Sequence, residues 1–194
     1  MTLAIASIQK DHQRFNALLT CFEAILVGQN NGPPPVKKEL LHAILDYIGS
    51  FMDVFHHPKE DEYLFRVMRR RLPEMEPVLN DLREEHYQGR RRLDDVKQAL
   101  EVFERDGAPA LGALQKAVSD YAAFERQHIS KEERLILPAA RTNLSHDDWV
   151  EINAAFSENE DPLFSEKRQR RFELLFNTIE HIAPPPFGRG EAYA

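Results

Sequence analysis

The sequence predicts an all-α protein: an up-down-up-down four-helix bundle with one or two additional C-terminal helices. Apolar residues recur at helical spacing over four long stretches, no stretch alternates as a strand would, and short segments rich in Gly or Pro separate the stretches. Long helices joined by short loops pack as antiparallel neighbours, which is the bundle arrangement.

The first helix is expected from about Leu3 to Val27, with a stripe of Ile8, His12, Phe15, Leu19, Phe22 and Leu26 at alternating steps of three and four. Gly28 to Val36 reads as a loop, carrying two asparagines and three prolines. The second helix is expected from about Lys37 to Arg71, with Leu41, Leu45, Ile48 and Met52 inside and His56 one turn further on. Arg69, Arg70 and Arg71 suit its negative C-terminal end. Pro58 predicts a helix restart or a kink there, because proline has no N–H to donate. Pro73 and Pro77 lead into a third helix that buries Leu79, Leu82, His86, Leu93, Val96, Leu100 and Phe103 and stops at Asp106-Gly107. The fourth helix runs from about Pro109 to Arg141, with Leu114, Ala117, Tyr121, Phe124, His128 and Leu135 on one face. Two domains follow from this pattern, residues 1–142 as the bundle and 143–194 as a helical extension with an irregular tail. Ser145 and Asp148 form a capping box for a short helix through Trp149 and Phe156, and Asp161-Pro162 opens a last helix to about Ile182. Pro184 to Pro186 and Gly188 predict an extended tail.

Bulk composition narrows the function. A net charge of −7 argues against a nucleic-acid partner, which needs a basic surface. No apolar run approaches the roughly 20 residues that span a bilayer, so no membrane partner is expected. Met1 to Lys10 lacks the basic and apolar regions of a secretory signal, and the single Cys21 fits a reducing compartment. The expected location is therefore the cytoplasm. One cysteine also means that any metal is held by nitrogen and oxygen.

The chemistry lies in the histidines. His12, His86 and His128 occupy slots where the helical pattern calls for an apolar core residue, and His56 follows Met52 on the inward face. Two helices repeat one pair, His56 with Glu60 and His128 with Glu132, and residues four apart on a helix share a face. Counted outward from the loops, the distances to the third and fourth helices' histidines agree at about 19 residues each. His12, His56, Glu60, His86, His128 and Glu132 thus fall in one layer. A single buried histidine is ordinarily a hydrogen-bonded core residue, and a lone His-x-x-x-Glu is ordinarily a surface pair. Neither reading explains two matched pairs at one depth. Imidazole and carboxylate without thiolate suit iron, manganese or zinc, and six side chains exceed the four of a closed zinc site. Two ions sharing the glutamates account for the excess.

Asp11-His12, the run His56-His57-Pro58-Lys59-Glu60-Asp61-Glu62, Glu85-His86 and His128-x-x-x-Glu132-Glu133 together resemble the hemerythrin-like HHE cation-binding family. The resemblance covers roughly residues 1–142. It implies a four-helix bundle with two iron ions, oxo- or hydroxo-bridged, that bind oxygen and in some members react with peroxide or nitric oxide. It implies His12, His56, Glu60, His86, His128 and Glu132 as ligands, with His57 as a seventh if the helix is distorted at Pro58. One departure stands out. Oxygen carriers of the family place two histidines one turn apart on the third helix, whereas His86 has Leu82 before it and Arg90 after it. This argues against reversible oxygen carriage.

The resulting expectation is a protein that binds, senses or stores a small ligand such as O2 or NO, or stores iron; the alternative is a di-iron enzyme that reduces peroxide, NO or O2. A third reading, metals that only staple the bundle, is also open. No redox-active thiol or general acid is evident near the layer. His42, His146 and His181 are read as surface or capping residues, and Asp61, Glu62 and Glu133 are expected on the polar side; Glu125, three before His128, is read as solvated, the alternative being an acceptor for an imidazole N–H. The basic runs Arg90 to Arg92 and Lys167 to Arg171 are read as solvated faces. The apolar face of the extension, with Trp149, Phe156, Phe164, Phe172, Leu175 and Phe176, must cover the bundle or form a homodimer contact.

Overall fold

The computed structural model describes residues 2–28, 37–157 and 166–190. Among these residues all regular structure is helical. Helix α1 is Leu3–Gly28. Helix α2 occupies 38–71 and is continuous through Pro58, but its winding changes. Lys38–Tyr47 is α-helical, Ile48–His56 is π-helical, His57–Lys59 is a single α turn, Glu60–Phe65 is π-helical again, and Arg66–Arg71 closes as α-helix. Helix α3 is Glu76–Asp106, ended by Gly107 at φ 72°, a backbone setting that glycine takes without penalty. Helix α4 occupies 111–143, with a π-helical turn at Glu132–Ile136. Helices α5, His146–Ser157, and α6, Glu166–Ile182, follow. The expected Asp161-Pro162 helix start and Phe164 lie outside the described residues.

Two of the π turns have a common cause. The N–H of His57 bonds the carbonyl of Met52, five residues back, and the next residue is Pro58. The N–H of Leu137 bonds the carbonyl of Glu132, again five back, and the next residue is Pro138. A proline lacks the N–H for a regular bond, and widening the turn before it keeps the helix going. The wider turn also resets the register. Leu135, expected inside, is 50% exposed, and Ile136 is buried in its place.

The long helices pack in cyclic order: α1 on α2, α2 on α3, α3 on α4 and α4 on α1. Their inward residues form two apolar clusters. One holds Phe15 to Leu26 of α1 with Leu40 to Phe55, Leu93 to Leu100 and Leu114 to Ile129. The other holds Ala4, Ile5 and Ile8 with Leu64 to Leu72, Leu79, Leu82, Ile136, Leu137 and Ala140. The predicted histidine layer falls between them along every long helix.

The extension covers the side of this assembly. Trp149, Ile152 and Phe156 of α5 join the second cluster, while Phe172 and Ile179 of α6 join the first. Burial of side chains such as Ile152 and Phe156 contributes roughly 1.5–3 kcal/mol each before ordering costs. The tail is not extended as predicted: Arg189 N–H bonds the Glu180 carbonyl and Gly190 N–H bonds the Ala183 carbonyl, folding it back onto α6. The capping box forms as expected, with Ser145 N–H donating to Asp148 (3.0 Å) and Asp148 N–H to the Ser145 hydroxyl (3.3 Å). Arg70 and Arg71 of α2 also donate to this carboxylate, each at 2.9 Å. Burial opposes the Asp148 charge, but these hydrogen bonds outweigh it and hold the carboxyl well below the usual range. Asp148→Ala should therefore cost about 1–2 kcal/mol and lower Tm by roughly 2–8 °C. A thermal melt followed by Trp149 fluorescence checks this, and an unchanged Tm would contradict the anchoring role.

Candidate metal centre

His12, His56, His57, Glu60, His86, His128 and Glu132 are all buried and gather at one level between the two apolar clusters. Helix α1 supplies His12, α2 supplies His56, His57 and Glu60, α3 supplies His86, and α4 supplies His128 and Glu132. The histidines fall into two groups, and a third set, Glu60, His86 and Glu132, links them. Donor atoms of His12, His56 and Glu60 lie within 4.8 Å of one another, and so do those of His57, His86 and His128.

The two carboxylates face both groups. Glu60 turns Oε1 toward His56 Nε2 (3.4 Å) and His12 Nε2 (3.8 Å), and Oε2 toward His86 Nε2 (3.9 Å). Glu132 turns Oε2 toward His12 Nε2 (3.2 Å), and Oε1 toward His128 Nε2 (3.4 Å) and His86 Nε2 (3.9 Å). Each glutamate therefore offers one oxygen to either side. His57 stacks on His86 with ring centroids 4.1 Å apart. The altered winding around Pro58 brings both His56 and His57 inside, although adjacent residues of a regular helix diverge by about 100°.

Behind this layer runs a ring of acids. Asp11 of α1 faces His56 Nδ1 (3.3 Å), and Asp61 of α2 faces His86 Nδ1 (3.2 Å). Glu85 of α3 faces His128 Nδ1 (3.1 Å), and Glu133 of α4 faces His12 Nδ1 (3.0 Å). Every long helix thus supports a histidine of the next. Each acid also sits next in sequence to a layer residue: Asp11 to His12, Asp61 to Glu60, Glu85 to His86, Glu133 to Glu132. Asp61 and Glu133, expected on the polar side, are part of this ring. A carboxylate on Nδ1 fixes the tautomer that leaves Nε2 free to ligate.

The electrostatics follow from the acids. Burial opposes a charge on His12, but Glu132 and Glu133 outweigh it and raise the imidazole to about 9. Burial likewise opposes His56, and Glu60 and Asp11 raise it to about 10. His128 and His86 are raised in the same way, by Glu132 with Glu85 and by Asp61 with Glu132. His57 goes the other way: burial, then the neighbouring His86 and His128, push it well below its ordinary value. It is a neutral imidazole, the form that binds metal.

Seven atoms decide what the layer is for. His12 Nε2, His56 Nε2, both ring nitrogens of His57, Glu60 Oε2 and both oxygens of Glu132 are buried and make no well-aligned hydrogen bond, the 3.2 Å approach of His12 Nε2 to Glu132 Oε2 included. Each such atom ordinarily costs about 1–3 kcal/mol, so a cluster of them needs compensation. All are good donors to a hard or borderline cation. The residues present fit a metal.

A family model, the hemerythrin HHE cation binding domain, matches residues 3–140. The chain belongs to this family. Among curated proteins, it is 23% identical over 141 residues to the uncharacterized proteins Mb2018 of Mycobacterium bovis and Rv1995 of Mycobacterium tuberculosis. That stretch is 73% of this chain and 53% of each relative, so the chain spans about half the length of the curated relatives it matches. No solved structure matches at the same stringency. A hemerythrin HHE domain implies a bound metal, with iron the family's metal.

Two features of this hemerythrin domain turn on alternatives that the sequence left open. The layer contains five imidazoles although α3 contributes only His86, because the fifth, His57, comes from α2. Arg90, one turn beyond His86, instead donates to the Asp53 carbonyl (2.8 Å). Glu125 is not solvated: it is 2% exposed, and a Cβ on Gly89 would stand 2.6 Å from its Oε1. Glycine at that position makes room for the carboxyl on the facing helix. Burial raises Glu125 to about 7. His42, His146 and His181 are exposed as predicted, His42 pairing with Glu104 at 2.9 Å. The acid ring predicts that Glu133→Gln weakens metal affinity about 10–100-fold while helix content is retained. Competition with a chelator measures this, and unchanged affinity would contradict a supporting role for Glu133.

Proposed function

We propose that residues 1–142 form an up-down-up-down four-helix bundle that holds two iron ions, with 143–194 as its helical cover. His12, His56, Glu60 and Glu132 would hold one ion, and His57, His86, His128, Glu60 and Glu132 the other. The observation that carries this reading is the division of each glutamate's oxygens between two histidine groups. Manganese or zinc suits the same atoms less well: zinc prefers four-coordinate closed sites, and the layer offers more donors than one such site uses. Iron held this way supplies reversible redox chemistry toward O2, NO or peroxide.

The function proposed is binding or sensing of such a small ligand, or storage of iron. The available donors fall short of saturating two octahedral ions. His57 restores the fifth imidazole that α3 lacks, which removes the sequence argument against oxygen carriage. The apolar clusters on either side exclude water from the layer. The acid ring holds each supported imidazole in one orientation. A reductase reading is favoured by Glu125, a buried carboxyl raised to about 7 near His86 and His128 that can hold or give up a proton near neutrality.

Iron content and absorption of the purified chain test the proposal. About two irons per chain are expected, about one in His57→Ala, and the parent value in His146→Ala, with a spectrum that responds to O2 or NO. Turnover of peroxide would select the reductase. Equal metal content in the two variants, or one zinc per chain, would overturn the assignment.

A further inference from the structure

A cavity of about 180 Å³ lies between α1, α2 and the two helices of the extension. Its walls are aromatic: Tyr47, Phe51 and Phe55 from α2, Phe156 from α5 and Phe172 from α6. It runs from the exposed Lys10 and Glu173 inward past the half-buried Asp11 to the buried Lys59 and His56. Phe172 packs edge-on to Phe51 and Phe55, with centroids 5.1 and 5.3 Å apart, so the extension builds one wall of the cavity.

The charges in it are uneven. Lys10, Arg14 and Lys59 contribute three cations. Among the described residues Arg14 and Lys10 have no ion pair; the Arg14 guanidinium lies 5.3 Å from the Phe176 ring centroid instead. The Lys59 ammonium lies 4.4 Å from the Phe55 ring centroid. Of the two acids, Asp11 is engaged with His56 Nδ1 and Glu173 stands in solvent. The space is below the roughly 300–1,000 Å³ of sites for drug-sized ligands, so it suits a single ring rather than a nucleotide or peptide. Aromatic walls suit a flat apolar body, and Lys10 and Arg14 suit an anion at one end.

We propose that this cavity binds a small aromatic carboxylic acid, its ring against the wall formed by Phe51, Phe55, Phe156 and Phe172 and its carboxylate on Arg14 and Lys10. The occupant lies on the outer side of His56, away from the donors that face the metal layer. The binding does not depend on the metal reading.

Benzoate is the probe. Calorimetric titration of the full chain, with metal content measured on the same sample, should show saturable one-to-one binding. Benzyl alcohol, which lacks the charge, should bind at least tenfold more weakly. Arg14→Gln and the exposed Lys10→Gln should each weaken benzoate several-fold or more, with metal content as in the parent. No saturable benzoate binding, equal binding of benzyl alcohol, or parental affinity in both variants would overturn the proposal. Absent benzoate binding with full metal content refutes the cavity alone, whereas benzoate binding without metal refutes the metal reading alone.

Discussion

Burying polar groups together is the constraint on which the rest of this structure depends. Five imidazoles and two carboxylates sit between two apolar clusters, where an isolated charge or unpaired polar atom is strongly disfavoured. Two compensations are built around them. Outside, four acids neutralise and orient the Nδ1 side of four histidines. Inside, the Nε2 atoms and glutamate oxygens converge with no well-aligned hydrogen bond for most of them. Left to the protein's own charges, the acids raise His12 to about 9 and His56 to about 10, and push His86 and His128 upward as well. A cation bound in the layer would take over that role, because an imidazole ligates in its neutral form.

The acid ring also ties the layer to the fold. Since each helix supports a histidine of the next, the supports close only when all four helices are in register. The π turns contribute to that register. Without the wide turn before Pro58, His56 and His57 would point apart, and without the one before Pro138, Leu135 rather than Ile136 would face inward. Prolines that would normally break a helix here set the angle of its most important residues.

Much of this was legible in the sequence. His12, Phe15 and Leu19 share a stripe because helical periodicity is strict, and the same rule placed His86 and His128 inside. The matched pairs at 56/60 and 128/132 encoded the depth of the layer. What escaped was what depends on neighbouring helices. Asp61 and Glu133 looked solvated because their own helix faces are polar; only the adjacent helix shows that they reach His86 and His12. A signal was present, since each supporting acid adjoins a layer residue in the chain. Glu125 takes the core-facing alternative rather than the solvated one, because its burial depends on the missing side chain of Gly89, on another helix. Leu135 was misplaced because a regular period cannot anticipate a π turn. The extension's apolar face was evident, but whether it met the long helices or a second chain depends on the tertiary structure, which packs it on α1 and α2 and thereby encloses the aromatic cavity.

The central claim is that the layer holds two metal ions shared by Glu60 and Glu132. Anomalous diffraction at the iron edge from crystals of the iron-loaded protein tests it most directly. The account predicts two peaks, one among His12, His56 and the glutamates and one among His57, His86, His128 and the same glutamates. A single peak, or none within this layer, would contradict it.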